Sequence, residues 1–152
     1  AAMLLAAWLG ATLYFTVTVT RAAFAVLPAR TLSGALVGQI LPVLFDSGIL
    51  VGACLVGAAI LSPAGAARTA SLAGGIAIAV LAAVARFVIL TRIARLRLSL
   101  PAAIDSLAAG DPARRAFGQL HAMSVGALGL AMLIGIVVAV VLAHSLSVVA
   151  HD

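Results

Sequence analysis

The chain has 152 residues, 65% hydrophobic and 9% charged. Soluble domains are about half apolar and about a quarter charged, so the composition excludes an ordinary soluble domain and points to an integral membrane protein. The formal charge of +5 comes from nine basic residues, all arginine, against four aspartates. In a soluble protein that balance suggests nucleic acid. Here the arginines lie between apolar runs, where they set orientation and meet anionic lipid, so no nucleic-acid partner is expected.

An α-helical span needs about 20 mostly apolar residues. Four runs qualify, over residues 2–20, 41–61, 71–90 and 120–143. They do not alternate with period two, which excludes a transmembrane barrel. The expected fold is therefore all-α, a single four-span integral membrane bundle. The first run lacks a basic start and exceeds a signal-peptide core in length, which favours a retained span. Pro28 marks the first connection, and Thr31 or Ser33 is suited to cap the next helix. Ser62-Pro63-Ala64-Gly65 ends span two. A short helix is expected between Leu98 and Gly110, with Ile104 and Leu107 facing the membrane or the bundle. Gly110-Asp111-Pro112 then closes one helix, caps the next and occupies its first position.

Arginine counting sets the orientation. Arg21 and Arg30 flank the first connection, and Arg92, Arg95, Arg97, Arg114 and Arg115 the third. The middle connection has only Arg68. The two arginine-rich connections are expected in the cytoplasm and both termini on the non-cytoplasmic side.

Asp46 lies about five residues past the inner edge of span two, roughly 7 Å deep at 1.5 Å per residue. Arg86 lies about five residues before the inner edge of span three. Each charge alone would cost about 2.5–3.5 kcal/mol at a helix centre, so an ion pair inside the bundle is expected. The competing reading has Arg86 snorkelling to phosphates and Asp46 wetted from the cytoplasmic side. His121 and Ser124 begin span four near that face. Tyr14 and Arg21 occupy the inner half of span one. Pro42 deprives the Gly38 carbonyl of its helical donor. A polar pocket lined by Tyr14, Arg21, Asp46, Arg86, His121 and Ser124 is the resulting candidate site.

His121 reads either as a proton carrier or ligand, or as a helix-start histidine bonded to a loop carbonyl or to Asp46. The second reading is favoured. His144 is 23 positions further along the same span, roughly 35 Å away, so the two cannot share one haem in a monomer. Cys54 sits in an apolar run and reads as an inert buried thiol. Met3, Met123 and Met132 are too scattered for a metal site. Gly34, Gly38, Gly48 and Gly52 have the four-residue spacing that lets helices approach closely in lipid. The sequence has no GxSxG, HExxH, phosphate loop or paired carboxylates. No enzyme activity, cofactor or metal is expected.

Several stretches resemble a known family. Trp8-Leu9-Gly10 with Tyr14-Phe15 is similar to the first span of the transmembrane-protein-205-like family, and Phe24 to Pro28 to its exit. Gly34 to Gly38 through Leu41-Pro42 and Phe45 resembles the second helix. Thr91-Arg92-Ile93-Ala94-Arg95-Leu96-Arg97 resembles the basic end of the third span. Phe117-Gly118-Gln119-Leu120-His121 with Ser124 resembles the start of the last. Arg21-Ala22 and Thr91 stand where that family usually carries prolines. The resemblance implies a four-helix membrane bundle and no settled activity. The leading expectation is a non-enzymatic protein of the bacterial inner membrane that acts through lipid or protein contacts. An accessory subunit of a respiratory or photosynthetic complex and a small oligomeric transporter are the alternatives.

Overall fold

In hydrocarbon every backbone N–H and C=O must be satisfied within the chain, and a run of apolar residues meets that demand as a helix. The computed structural model describes residues 1–100, 103–108 and 110–149. Four long helices account for almost all of them: α1 (Ala2–Val26), α2 (Arg30–Ile60), α3 (Ala66–Leu98) and α4 (Pro112–Val149). Each is long and apolar enough to cross a bilayer, and no strand occurs among the described residues. This is a multi-pass membrane protein.

The helices outrun the apolar stretches. Helix α2 has 31 residues and α3 has 33, about 46 and 50 Å at 1.5 Å per residue, against a hydrocarbon core of about 30 Å. The excess lies mainly at the arginine-bearing end, where residues 30–40 of α2 and 91–98 of α3 extend the spans. Two segments are π-helical, Phe15–Val19 in α1 and Val84–Ile89 in α3. At the first, the Thr20 hydroxyl donates to the carbonyl of Phe15, five residues back, at 3.0 Å.

The helices form a closed ring in which α1 contacts α2 and α4, and α3 contacts α2 and α4. The α2–α3 seam is the most extensive. Its closest point is Gly52 against Gly75: a β-carbon on Gly52 would lie 2.5 Å from the Gly75 carbonyl oxygen. Gly48 admits the Trp8 ring, and Gly74 receives Val138 from α4. Leu5, Trp8, Phe15, Leu44, Phe45, Leu55, Ile78, Leu128 and Val138 fill the centre. The Trp8 indole donates to the Leu44 carbonyl at 3.2 Å, joining α1 to α2.

Two local expectations are corrected and one holds. Helix α2 starts from Ala29 with no side-chain cap; Thr31 does not cap it, and the Ser33 hydroxyl instead donates to Ala23 at the end of α1, at 3.0 Å. Between Leu98 and Gly110 the described residues form only one 3-10 turn, Ile104–Ser106. Arg114 donates to the Leu107 carbonyl at 2.8 Å and so ties this connection to α4. The cap at Asp111 forms, its carboxylate accepting from the Ala113 N–H at 2.7 Å.

Candidate functional site

Four helices that cross a bilayer as a ring need only touch at their narrowest point. Gly52 and Gly75 hold that point toward the end with the short 61–65 connection. At the opposite end the helices leave a cavity of about 910 Å³. All four helices and the 3-10 turn contribute to it. On each helix the lining residues recur at helical spacing: Thr20 and Phe24; Arg30, Gly34, Val37, Gly38 and Leu41; Arg86, Leu90, Ile93, Ala94 and Arg97; Phe117, His121 and Ser124. One face of each helix therefore lines the cavity.

Of the expected polar cluster, only Arg86, His121 and Ser124 line the cavity; Asp46 is absent from its wall and joins it only through Arg86. The Arg86 Nε donates to Asp46 Oδ1 at 2.9 Å, across the α2–α3 seam. Arg86 also reaches the cavity wall, with its guanidinium 5.5 Å from the Phe87 ring centroid. The pair is not enclosed: the Arg86 side chain is 33% exposed and that of Asp46 50%. His121 and Ser124 line the cavity. Ser124 is buried, with its hydroxyl donating to its own helix at the His121 carbonyl, 2.8 Å away. It supplies a small surface rather than a free polar group.

Tyr14 and Arg21 do not belong to the cluster. Tyr14 is 62% exposed on the outer surface of the ring, and Arg21 is also exposed and absent from the cavity wall. Both side chains are exposed, so each points away from the bundle interior. Thr20 and Phe24 are the residues of α1 that reach the cavity instead.

Gly34 and Gly38 are also reassigned. No helix packs against them; a β-carbon on Gly34 would meet only Arg97 Nη2 at 3.9 Å, and one on Gly38 only Arg97 Nη1 at 3.5 Å. They form a floor beneath a guanidinium. Gly48 and Gly52 do sit at close helix contacts. Gly38 and Pro42 both line the cavity, and Pro42 leaves the Gly38 carbonyl without its helical donor.

Arg97 is the residue the site is built around, and the polar-cluster reading passed over it. Its guanidinium carbon lies 5.2 Å from the centroid of Phe117. Phe117 in turn stacks on His121, with centroids 6.0 Å apart and planes 8° from parallel. Among the described residues, His121 has an aromatic neighbour on its own helix and no bond to a loop carbonyl or to Asp46. Arg30 and Asp105 complete the charged lining. The missed signal was periodic: Leu90, Ile93, Ala94 and Arg97 follow the i, i+3, i+4, i+7 pattern of a single helix face.

The site thus combines arginines at one membrane face, an aromatic platform and walls of Leu41, Leu90 and Ile93. Chemically it can hold an anion at its mouth and an apolar group beneath. A model of the family described as a domain of unknown function (DUF4149) matches residues 3–100. The match takes in α1, α2 and α3, with Arg30, Gly34, Gly38, Arg86 and Arg97, and leaves α4 outside. No curated protein and no solved structure matches the chain. The matched stretch covers well over half of the 152 residues, so the chain belongs to the DUF4149 family.

Proposed function

We propose that the chain is a non-enzymatic multi-pass protein of a bacterial inner membrane that acts through lipid contacts at its arginine-rich end. The observation that carries this reading is the cavity between the four helices, lined by Arg30, Arg86 and Arg97 above apolar walls. In this reading that end faces the cytoplasm. The positive-inside rule supports it, since every arginine except Arg68 lies toward that end. The Phe117 to Ser124 stretch supports a relationship to the transmembrane-protein-205-like group. A transport role draws less support, because Trp8, Leu44 and Phe45 pack the bundle beyond the cavity.

One observation favours a second reading, an accessory subunit of a larger membrane assembly. Asp46 is half-exposed on the outer face of α2, beside exposed Val43 and Leu50. A neighbouring helix from another subunit would cover that carboxylate. Native purification in mild detergent, followed by mass spectrometry of what stays bound, separates the readings. Retained phospholipid without protein at fixed stoichiometry supports the first. Larger chains at fixed stoichiometry support the second. Retention of neither defeats both.

A further inference from the structure

The cavity's arginines are not equivalent. Arg86 is paired with Asp46. Arg30 and Arg97 have no carboxylate partner among the described residues. Arg97 is exposed, yet its guanidinium lies against the Phe117 ring and above the Gly34–Gly38 surface. Neither contact uses its N–H groups. An arginine presents five donors in a rigid planar fork that matches a phosphate bidentately. Here that fork is oriented without being neutralised.

Depth says where such a phosphate comes from. Arg97 lies 11 residues beyond Arg86 on the same helix, about 16 Å further along the axis. With Arg86 about 7 Å inside the hydrocarbon, the Arg97 backbone lies about 9 Å outside it, just past a headgroup layer of about 5–7 Å, and a long side chain tilted toward the helix N-terminus reaches back into that layer. Leu41, Leu90 and Ile93 line the cavity, and Leu90 and Ile93 lie along α3 between Arg86 and Arg97, nearer the membrane than Arg97. The volume of about 910 Å³ is that of a small-molecule pocket. It suits a headgroup, a glycerol and the first segments of the chains, with the tails left in the bilayer. Asp105 also lines the cavity. Two unpaired arginines less one carboxylate leave one positive charge, which favours an anionic headgroup over a zwitterionic one.

We infer that the cavity binds one anionic glycerophospholipid, with its phosphate on Arg97 and Arg30 and its upper acyl chains along Leu41, Leu90 and Ile93. This assignment rests on the lipid-contact reading above and adds the ligand class and the residues that select it. Arg97 carries the recognition. Gly34 and Gly38 keep open the space its guanidinium occupies.

The test compares four proteins in nanodiscs of equimolar phosphatidylglycerol and phosphatidylethanolamine, read by native mass spectrometry. They are wild type, Arg97→Gln, Gly38→Leu and, as a far-end control, Arg68→Gln. Gly38→Leu preserves every charge but fills the cavity floor; should it not fold, Arg30→Gln replaces it. Wild type and Arg68→Gln are expected to retain one phosphatidylglycerol per chain. Arg97→Gln and the cavity variant are expected to lose about tenfold or more in retention, the worth of a charge-assisted bond. Unchanged retention in both, equal loss in Arg68→Gln, or preference for phosphatidylethanolamine would overturn the assignment. In phosphatidylethanolamine-only nanodiscs, inorganic phosphate should leave the melting temperature unmoved. Protection equal to that given by phosphatidylglycerol would overturn the lipid in favour of a soluble phosphate. Lipid retained by wild type but indifferent to the variants sinks this site alone. A wild type that retains neither lipid nor protein sinks the broader reading as well.

Discussion

Arg86 and Asp46 meet across the α2–α3 seam through a single 2.9 Å bond, from Nε to Oδ1. The contact is end-on rather than bidentate, and both side chains keep part of their surface exposed. Removing either partner strands a charge at membrane depth, which is worse than removing both. Asp46→Asn and Arg86→Gln should each destabilise the bundle by about 1–2 kcal/mol, and the double variant by less than their sum, with a coupling near about 1 kcal/mol. Reversible unfolding in mixed micelles would measure the cycle, and strict additivity would remove the pair as a stabilising element.

The glycines should divide into two classes under the same substitution. Gly52→Ala sets a methyl 2.5 Å from the Gly75 carbonyl oxygen, with backbone rather than a flexible side chain in the way. The helices must part, at about 1–3 kcal/mol. Gly34→Ala meets only Arg97 at 3.9 Å and should be neutral to slightly stabilising, since alanine favours a helix interior over glycine by up to about 1 kcal/mol. Melting temperatures of the two variants in one detergent make the comparison, and similar losses in both would contradict the packing described.

Trp8 is the chain's only tryptophan and is 4% exposed. Its emission should be blue-shifted and scarcely quenched by aqueous acrylamide. Trp8→Phe keeps most of the ring but leaves the hydrogen bond to Leu44 unmade, at about 1 kcal/mol. The Leu44 carbonyl also accepts from the Ser47 hydroxyl at 2.9 Å, so it is not orphaned. Emission like that of free indole would place the ring outside the bundle.

Orientation is open to a direct experiment. In a Cys54→Ser background, a cysteine at Ala64 should react with a membrane-impermeant maleimide added to intact cells. One at Gly110 should react only after lysis. The reverse pattern would invert the topology and move the arginine-lined cavity to the outer face.

How much of this could be read from the residues depends on what hydrocarbon does to a hydrophobic pattern. Length and polarity along the axis were legible. The four runs, the arginine-rich end and the shared depth of Asp46 and Arg86 all follow from counting along the chain. Which face of each helix turns inward was not. Lipid is as apolar as a packed core, so the usual contrast between a buried and an exposed face disappears. Met3 at 87% exposed and Leu5 at 0% sit two residues apart with nothing in their chemistry to separate them. That is why Tyr14 and Arg21 entered the pocket on depth alone, and why Arg97 was read only as a topological charge. The glycine spacing had the same ambiguity: Gly34 and Gly52 look alike in sequence, yet one lies under a guanidinium and the other against a backbone.

The π-helical segment at Val84–Ile89 separates the tightly packed half of α3 from the half that carries Arg97. An inserted residue of this kind shifts the angular phase of everything downstream by about 100°. Deleting one residue there would barely shorten the span, and a hydropathy plot would not register the change. The side chain at the far tip would nonetheless swing a quarter-turn or more out of the cavity. In this protein the address of a charge is set by winding as much as by distance, and one supernumerary amino acid works as its dial.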